Sequence, residues 1–78
     1  MVVKVFLTII AEPGRVNEIN NAINSFEEVH LVCLVDSGPY DIVALVEVEN
    51  LDGYRVLIEK VASIPNTEDF ESFITLEL

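Results

Sequence analysis

The sequence predicts an α+β fold, a sandwich in which a four-stranded antiparallel sheet carries two helices on one face. Four segments rich in β-branched and aromatic residues are typical of strands, and two segments with apolar residues at helical spacing are typical of amphipathic helices. Their order is βαββαβ, and right-handed crossovers then give the ferredoxin-like split βαβ arrangement, with the first and third strands in the centre. A chain of 78 residues accommodates one such domain, which we place over 1–78.

The first half of the chain predicts a strand, a helix and a second strand. Residues 2–10 are β-branched and aromatic without a breaker, and predict the first strand. Pro13 suits the first position of a helix because its φ is fixed, so we expect a helix over about 13–26. Its apolar stripe consists of Val16, Ile19, Ala22, Ile23 and Phe26. Residues 29–35 predict the second strand, and the turn residues of 36–39 follow it.

The second half repeats this pattern. Residues 40–48 predict the third strand, and Asn50 is a suitable N-cap for the second helix. The apolar stripe of that helix consists of Leu51, Tyr54, Leu57, Ile58 and Val61. Pro65 and Asn66 end the helix, and residues 70–78 predict the last strand.

Composition excludes several classes of function. The chain has 4 Lys+Arg against 14 Asp+Glu, a net charge of −10, and cannot form the basic stripe that nucleic acid or an anionic membrane surface requires. Its longest apolar runs, 31–35 and 42–46, fall far short of the roughly 20 residues that span a bilayer. No signal-peptide pattern is present, so we expect a cytoplasmic protein. Cys33 is the only cysteine, which excludes an intrachain disulfide.

The predicted strands are apolar on both faces. In the third strand Ile42 and Ala44 share one face, while Val43 and Leu45 share the other. Two helices cover only one face, and leaving about six to eight large side chains exposed on the other forfeits roughly 10–20 kcal/mol. That loss exceeds the stability of a typical domain, about 5–15 kcal/mol. We therefore expect a homodimer with stacked sheets, a dimeric α+β barrel. The apolar second strand, at a sheet edge, also invites pairing with further chains.

Few residues suit catalysis or metal binding, and we predict no catalytic residue, metal site or cofactor. His30 is the only histidine, and the sequence supplies no partner for it. Glu68, Asp69 and Glu71 could bind a hard cation, although a solvated turn explains them more simply. In the segment 36–41, Asp41 can bind an ammonium group and free backbone N–H groups can bind a carboxylate. That combination suits a free amino acid, but an ordinary hairpin turn has the same residues.

Residues 37–48, Ser-Gly-Pro-Tyr-Asp-Ile-Val-Ala-Leu-Val-Glu-Val, resemble the glycine-x-tyrosine-aspartate loop and following strand of the Lrp/AsnC effector domain. This domain belongs to the leucine-responsive and asparagine-responsive transcription regulators. The resemblance extends over the opening strand, Pro13-Gly14, the second helix with its isoleucine-proline exit, and the last strand. It implies face-to-face dimers that assemble further, commonly into octamers, with an amino acid bound between neighbouring dimers.

The resemblance also implies which residues bind the ligand. Carried over position by position, they are Gly38, Tyr40 and Asp41, with Asp36 and Ser37 beside them and Ser72 in place of one of the family's threonines. The chain departs from the family pattern at Phe70 and at Asn66-Thr67. Full family members carry an N-terminal helix-turn-helix domain, whereas here the first strand begins at residue 2. We therefore expect a stand-alone effector domain that can join full-length Lrp/AsnC regulators.

Two other hypotheses remain open at this point. One is a small dimeric α+β barrel enzyme, monooxygenase-like or isomerase-like, which would need His30, Tyr40 and Asp41 to converge on one pocket. The other is an interaction module whose turn at Gly38 binds nothing. Geometry tests the first, and a binding screen tests the second.

Overall fold

The computed structural model describes residues 2–75 and confirms the βαββαβ order. Its elements are β1 (Val3–Ala11), α1 (Val16–Asn24), β2 (Val29–Leu34), β3 (Ile42–Val48), α2 (Leu51–Ala62) and β4 (Thr67–Ile74). The sheet order is β2-β3-β1-β4, and all neighbouring strands are antiparallel. Neither helix in this part of the chain is long and apolar enough to cross a membrane. As predicted, β1 and β3 are central, which leaves β2 and β4 at the edges.

The hydrophobic core lies between the sheet and the two helices. Alternate residues of β1 and β3 point toward the helices, because side chains of a strand alternate between its faces. Of the predicted apolar stripes, α1 fully buries Ile19 and Ile23 and α2 fully buries Leu57 and Val61, whereas Leu51 at the start of α2 is 64% exposed. The largest fully buried side chains are Val5, Leu7, Ile9, Ile19, Ile23, Ile42, Val46, Leu57 and Val61.

The opposite face of the sheet has no helix over it in the described chain. Phe6 lies at its centre, paired with Leu45 of β3 and Phe73 of β4. Phe6 is 44% exposed, Phe73 48% and Leu31 of β2 58%. We call this surface the open sheet face; its apolar members are Phe6, Ile10, Leu31, Val43, Leu45 and Phe73. The apolar side chains that we expected on the sheet face not covered by the helices are therefore present.

Helix α1 is shorter than predicted at both ends. We expected 13–26, but the helix begins at Val16 and ends at Asn24. Gly14 has φ of 80°, outside the right-handed helical region. The Arg15 N–H donates to the Glu12 carbonyl at 3.0 Å, so Pro13 and Gly14 form a turn instead of the first helical residues. Pro13 in this sequence therefore marks a turn before the helix.

The last strand begins earlier than predicted. We expected it over 70–78, but β4 begins at Thr67 and reaches Ile74; residues 76–78 lie outside the described residues. Asn66 has φ of 68°, a left-handed conformation that asparagine tolerates, and it turns the chain directly from the end of α2 into β4. Asn50 caps α2 as predicted, because its side chain accepts the Gly53 N–H at 2.8 Å.

Candidate functional site

The residues implied by the sequence lie mainly in the loop between β2 and β3. We call residues 36–41 the Gly38 loop. The Val35 N–H donates to the Asp41 carbonyl at 2.9 Å and closes this hairpin. Gly38 has φ of 124°, a conformation that residues with a side chain rarely adopt. The loop therefore needs glycine here for its backbone shape.

Asp41 fastens the Gly38 loop to the end of β1. Its backbone N–H donates to the Ile9 carbonyl at 2.9 Å, and its carboxylate Oδ2 accepts the Ala11 N–H at 2.8 Å in a partly buried position. Within residues 2–75 the second carboxylate oxygen, Oδ1, receives no hydrogen bond. One oxygen of Asp41 is thus used by the fold, and the other is available to a ligand.

The backbone of the Gly38 loop presents unused donors beside that carboxylate. In the described part of the chain, the N–H groups of Asp36, Ser37, Gly38 and Tyr40 donate to no protein acceptor. Residues 36–39 are exposed, so water solvates these groups in a single chain. Successive N–H groups in a turn form an anion-binding concavity. The loop therefore offers backbone N–H groups that can bind the carboxylate of a ligand, together with the carboxylate of Asp41.

Tyr40 reaches across the open sheet face. Its hydroxyl donates to Glu71 Oε1 at 3.1 Å, and Glu71 pairs with Thr8 in the β1–β4 ladder. Because β1 lies between β3 and β4, the Tyr40 side chain spans β1. The Thr8 hydroxyl is buried and has no hydrogen-bond partner within the described residues. Tyr40, Glu71 and Thr8 thus form a polar cluster on an otherwise apolar face.

Ser72 lies on the other side of the sheet. It pairs with Leu7, whose side chain is buried beneath the helices, and its Oγ lies 2.5 Å from the Tyr54 hydroxyl on α2. No hydrogen bond between described residues joins Ser72 to Tyr40 or Asp41. The structure therefore places Tyr40 and Asp41 together in the Gly38 loop with Asp36, Ser37 and Gly38, while Ser72 points toward the helices.

Sequence reasoning missed Thr67, which lies close to this site. Thr67 pairs with Ala11, and the Ala11 N–H is held by Asp41, so Asp41 and Thr67 flank Ala11 from the two neighbouring strands. The Thr67 hydroxyl is buried and makes no hydrogen bond in the described structure. Starting the last strand at residue 70 left Thr67 outside the predicted sheet. The available signal for an earlier start of β4 was that no glycine or proline interrupts the chain after Asn66.

His30 lies on β2, beside the end of β3 that is far from Asp41. A register shift between Val29 and Leu31 marks a β-bulge at His30, and the His30 Nε2 lies 3.3 Å from Glu47 Oε2. Glu47 is six positions beyond Asp41 in the sequence, about 20 Å along a strand. His30 therefore does not converge with Tyr40 and Asp41 within one chain. No group of three or more His, Cys, Asp or Glu in the described residues is placed to hold a metal ion.

A cleft of about 300 Å³ opens at the His30 end of the sheet, beside the start of α2. Glu28, Glu47 and Glu49 contribute carboxylates to its wall. Lys60 Nζ donates to both oxygens of Glu28, at 2.8 and 2.9 Å. The hydrogen bond from Lys60 lowers the pKa of the Glu28 carboxyl below its ordinary value, against the opposing effect of burial. This cleft is acidic and lies away from the Gly38 loop.

The chain belongs to the family of the Lrp/AsnC ligand binding domain, whose profile matches residues 4–78. The structure of TTHA0845 from Thermus thermophilus is 27% identical, with a TM-score of 0.88 over 97% of this chain and 95% of that one. AsnC from E. coli is 26% identical, with a TM-score of 0.87 over 97% of this chain and 52% of AsnC. None of the curated protein sequences matches the chain. The family resemblance that the sequence predicted is confirmed.

A more distant structure adds a ligand to this comparison. The transcriptional regulator NMB0573 from Neisseria meningitidis, in complex with L-Met, is 13% identical, with a TM-score of 0.83. The similarity covers 96% of this chain and 50% of that regulator. The present chain thus spans about half the length of NMB0573 and of AsnC. At this level of identity the comparison with NMB0573 shows a shared fold.

Proposed function

We propose that this chain binds a free amino acid through the Gly38 loop, at a site that a neighbouring copy completes. The observation that carries the proposal is the set of unused backbone N–H groups in that loop beside the free Oδ1 of Asp41. A zwitterion needs hydrogen-bond donors for its carboxylate and a negative group for its ammonium. The loop provides both, through its N–H groups and Asp41. The methionine complex of NMB0573 supports an amino acid as the ligand class.

The charges of the chain explain why backbone groups would bind the ligand carboxylate. Three of the four basic side chains are in ion pairs elsewhere: Arg15 with Glu18, Arg55 with Asp52 and Lys60 with Glu28. The fourth, Lys4, lies on β1 opposite Glu47 in the β1–β3 ladder, at the end of β3 far from the Gly38 loop. Since the Gly38 loop contains no cation, N–H dipoles are its means of holding an anion. The ligand's ammonium group would then neutralise Asp41.

We place the site between copies because the loop is open to solvent in one chain. Stacking of two open sheet faces would form a homodimer, and contacts between dimers would cover the Gly38 loop, with an octamer as the expected ring. A ligand bound there shifts the assembly only by its difference in affinity between assembly states. The same interfaces would let the chain join full-length Lrp/AsnC regulators and alter their response.

We infer binding without catalysis, although small dimeric α+β barrels also include monooxygenase-like and isomerase-like enzymes. The enzyme hypothesis requires His30 to act with Tyr40 and Asp41. Within one chain, however, His30 lies beside one end of β3 and Asp41 lies at the other. His30→Ala should therefore leave amino-acid binding unchanged. A loss of binding in this variant would reopen the enzyme hypothesis.

The proposal is tested by titrating the protein with each of the twenty amino acids in a calorimeter and recording native mass spectra of the same mixtures. We expect heat of binding for one or a few amino acids and a changed distribution of oligomers with those same ligands. Absence of heat for all twenty, with identical mass spectra, would contradict amino-acid sensing and favour the interaction module.

Asp41→Asn separates the binding role of Asp41 from its structural role. The asparagine amide oxygen can still accept the Ala11 N–H, so the free energy of unfolding should change by less than about 1 kcal/mol. The ligand's ammonium group loses its charge partner, and the affinity should fall tenfold or more, since hydrogen bonds to charged groups contribute about 1.5–3 kcal/mol.

Asp52→Asn is the matched control, because it removes one carboxylate from the far side of the chain, where Asp52 lies 3.9 Å from Arg55. Affinity should remain at the wild-type value in this variant. An equal loss of affinity in both variants would mean that net charge, rather than Asp41, governs binding.

A further inference from the structure

The contact between Tyr40 and Glu71 leaves hydrogen-bond acceptors unused close to the Gly38 loop. Tyr40 directly precedes Asp41 in the chain, and its hydroxyl donates to Glu71 Oε1 at 3.1 Å. Glu71 Oε2 receives no hydrogen bond from the described residues. A tyrosine hydroxyl can also accept a hydrogen bond, and none of the described residues donates to that of Tyr40. A positively charged donor could therefore be held by Glu71 and Tyr40 together.

The Thr8 hydroxyl indicates that this polar cluster is incomplete in a single chain. Thr8 lies opposite Glu71 in the β1–β4 ladder and, although it is on the open sheet face, it is only 8% exposed. Its hydroxyl oxygen is buried and has no hydrogen-bond partner among the described residues. Because buried polar groups in native proteins are nearly always hydrogen-bonded, we expect a group from outside the chain to complete the cluster.

The charged side chains that the Gly38 loop and β4 bring to this part of the sheet are all acidic. The loop contains Asp36 and Asp41, and β4 contains Glu68, Asp69 and Glu71. None of the four Lys and Arg side chains is placed here, because three are in ion pairs elsewhere and the fourth is at the far end of β3. The ammonium group of a bound amino acid would neutralise Asp41 alone, and Glu71 would remain without a positive partner.

The spacing of Asp41 and Glu71 suits a ligand with two positive groups. The Asp41 N–H donates to the Ile9 carbonyl on one side of β1, and Glu71 pairs with Thr8 on the other side. Two strand spacings and one to two residue steps therefore separate their Cα atoms, which amounts to about 10–12 Å. The two side chains and a hydrogen bond at each end take up part of this distance, and a chain of three or four methylene groups can bridge the rest. The Tyr40 side chain, which runs from the Gly38 loop to Glu71, marks the path.

We infer that the amino acid bound by the Gly38 loop is a basic one, such as arginine or lysine, and that Glu71 selects it by binding the cation of its side chain. The inference rests on the function proposed above, in which the loop N–H groups bind the ligand carboxylate and Asp41 binds its ammonium group. The side-chain cation then donates to Glu71 Oε2 and to the Tyr40 hydroxyl. Hydrogen bonds between charged partners are about twice as strong as neutral ones, so this contact favours basic ligands.

Other classes of ligand satisfy fewer of these groups. A neutral amino acid leaves Glu71 without a positive partner, and an acidic amino acid adds a carboxylate to a chain whose net charge is already −10. Cadaverine, which is lysine without its carboxylate, leaves the N–H groups of the Gly38 loop unused. An amino acid with a cationic side chain supplies a partner for the loop N–H groups, for Asp41 and for Glu71.

Calorimetric titration with matched pairs of ligands tests this preference. Citrulline has the length of arginine but a neutral urea group in place of the guanidinium, and norleucine has the aliphatic chain of lysine without its ammonium group. We expect arginine or lysine to bind at least about tenfold more tightly than its neutral counterpart, and more tightly than cadaverine or glutamate. If citrulline or norleucine binds as tightly as its charged counterpart, the inference is wrong and the proposed function stands. If no amino acid binds, both are wrong.

Glu71→Gln tests the role of Glu71 in this selection. Glutamine keeps an oxygen that can accept the Tyr40 hydroxyl but removes the charge, so the ratio of arginine affinity to citrulline affinity should fall at least about tenfold. Glu59→Gln is the matched control for net charge, because Glu59 is exposed on α2, and it should keep the wild-type ratio. A wild-type ratio in Glu71→Gln, even with both affinities lowered, or an equal fall in the two variants would overturn the inference. If Glu71→Gln fails to fold, the ratio measured for the wild type decides.

Discussion

Two carboxylates at opposite ends of the sheet show how single side chains carry separate tasks. Asp41 accepts a backbone N–H from β1 and fixes the Gly38 loop. Glu28 accepts two hydrogen bonds from Lys60, and Lys60 Nζ lies 5.0 Å from the centre of the Phe26 ring. The Lys60 contact ties the start of β2 to α2, and it makes stability depend on the protonation of Glu28.

The Glu28–Lys60 pair predicts a loss of stability in acid. Lys60 lowers the pKa of Glu28 in the folded chain, so the unfolded chain binds the proton more tightly. The contribution to the free energy of unfolding is therefore present above the ordinary pKa of 4.5 and is lost as the pH falls through the lower, folded value. Because both side chains are partly exposed, we expect less than about 1 kcal/mol.

Urea unfolding of the wild type and Lys60→Met between about pH 3 and pH 7 measures this contribution. The two proteins should differ more at neutral pH than in acid, because protonation of Glu28 removes the pair from the wild type. Arg15→Met, which removes the exposed Arg15–Glu18 pair, is the control for loss of a cation. A difference between wild type and Lys60→Met that stays constant with pH would assign the effect to the Phe26 contact.

Parts of the candidate site could be predicted from the sequence, and the reason differs from residue to residue. The dense turn residues of 36–39 predicted a turn between β2 and β3, and the structure has one there, although the φ of 124° at Gly38 was not predicted. The bond between Ser72 and Tyr54 could not be predicted, because it depends on how α2 lies over β4. The contact between Tyr40 and Glu71 likewise depends on the sheet order, which places β1 between their strands.

The two helices differ in how their first turns are stabilised, and this explains which boundaries the sequence could predict. Helix α2 begins after Asn50, whose side chain accepts an N–H of the first turn. Helix α1 begins after Arg15, which makes no side-chain capping bond. A capping residue identifies a helix start locally. For α1 the only local signal was Pro13, and the conformation of Gly14 moved the start of the helix to Val16.

Asn50→Ala should destabilise the protein through α2. Alanine cannot accept the Gly53 N–H, and loss of an N-cap costs about 1 kcal/mol. Asn50→Asp keeps an acceptor at the same position and should stay within about 0.5 kcal/mol of the wild type. Chemical denaturation at neutral pH measures both free energies of unfolding. Equal stability of Asn50→Ala and Asn50→Asp would mean that water or the flanking turn replaces the cap.

The strands also differ in what could be predicted. The runs of β-branched and aromatic residues predicted the positions of β1 and β3, but not which face the helices cover, because both faces of these strands are apolar. In β4 the start at Thr67 was missed, since Glu68 and Asp69 are exposed and are typical of a turn. An edge strand has only one hydrogen-bonded neighbour and tolerates such charges, so its pattern is weaker.

As a whole, the molecule combines a surface of high negative charge with an open sheet face that its own helices do not cover. Like charge keeps copies apart, and apolar burial brings them together, so any association must use surfaces that are poor in carboxylates. The centre of the open sheet face around Phe6, Leu45 and Phe73 meets this condition. Stacking through it would bury aromatic side chains, which contribute strongly to interfaces.

Phe6→Glu should therefore weaken the proposed stacked dimer. The substitution places a charge at the centre of the open sheet face, where Phe6 is 44% exposed in the single chain. Loss of a central aromatic contact of an interface costs about 2 kcal/mol or more, roughly 30-fold in Kd. Sedimentation velocity over a dilution series measures the dissociation. Val56→Glu is the matched control, because Val56 on α2 is 51% exposed and lies outside the sheet. Equal dissociation in the two variants would attribute the effect to added negative charge, and a monomeric wild-type chain at micromolar concentration would refute stacking itself.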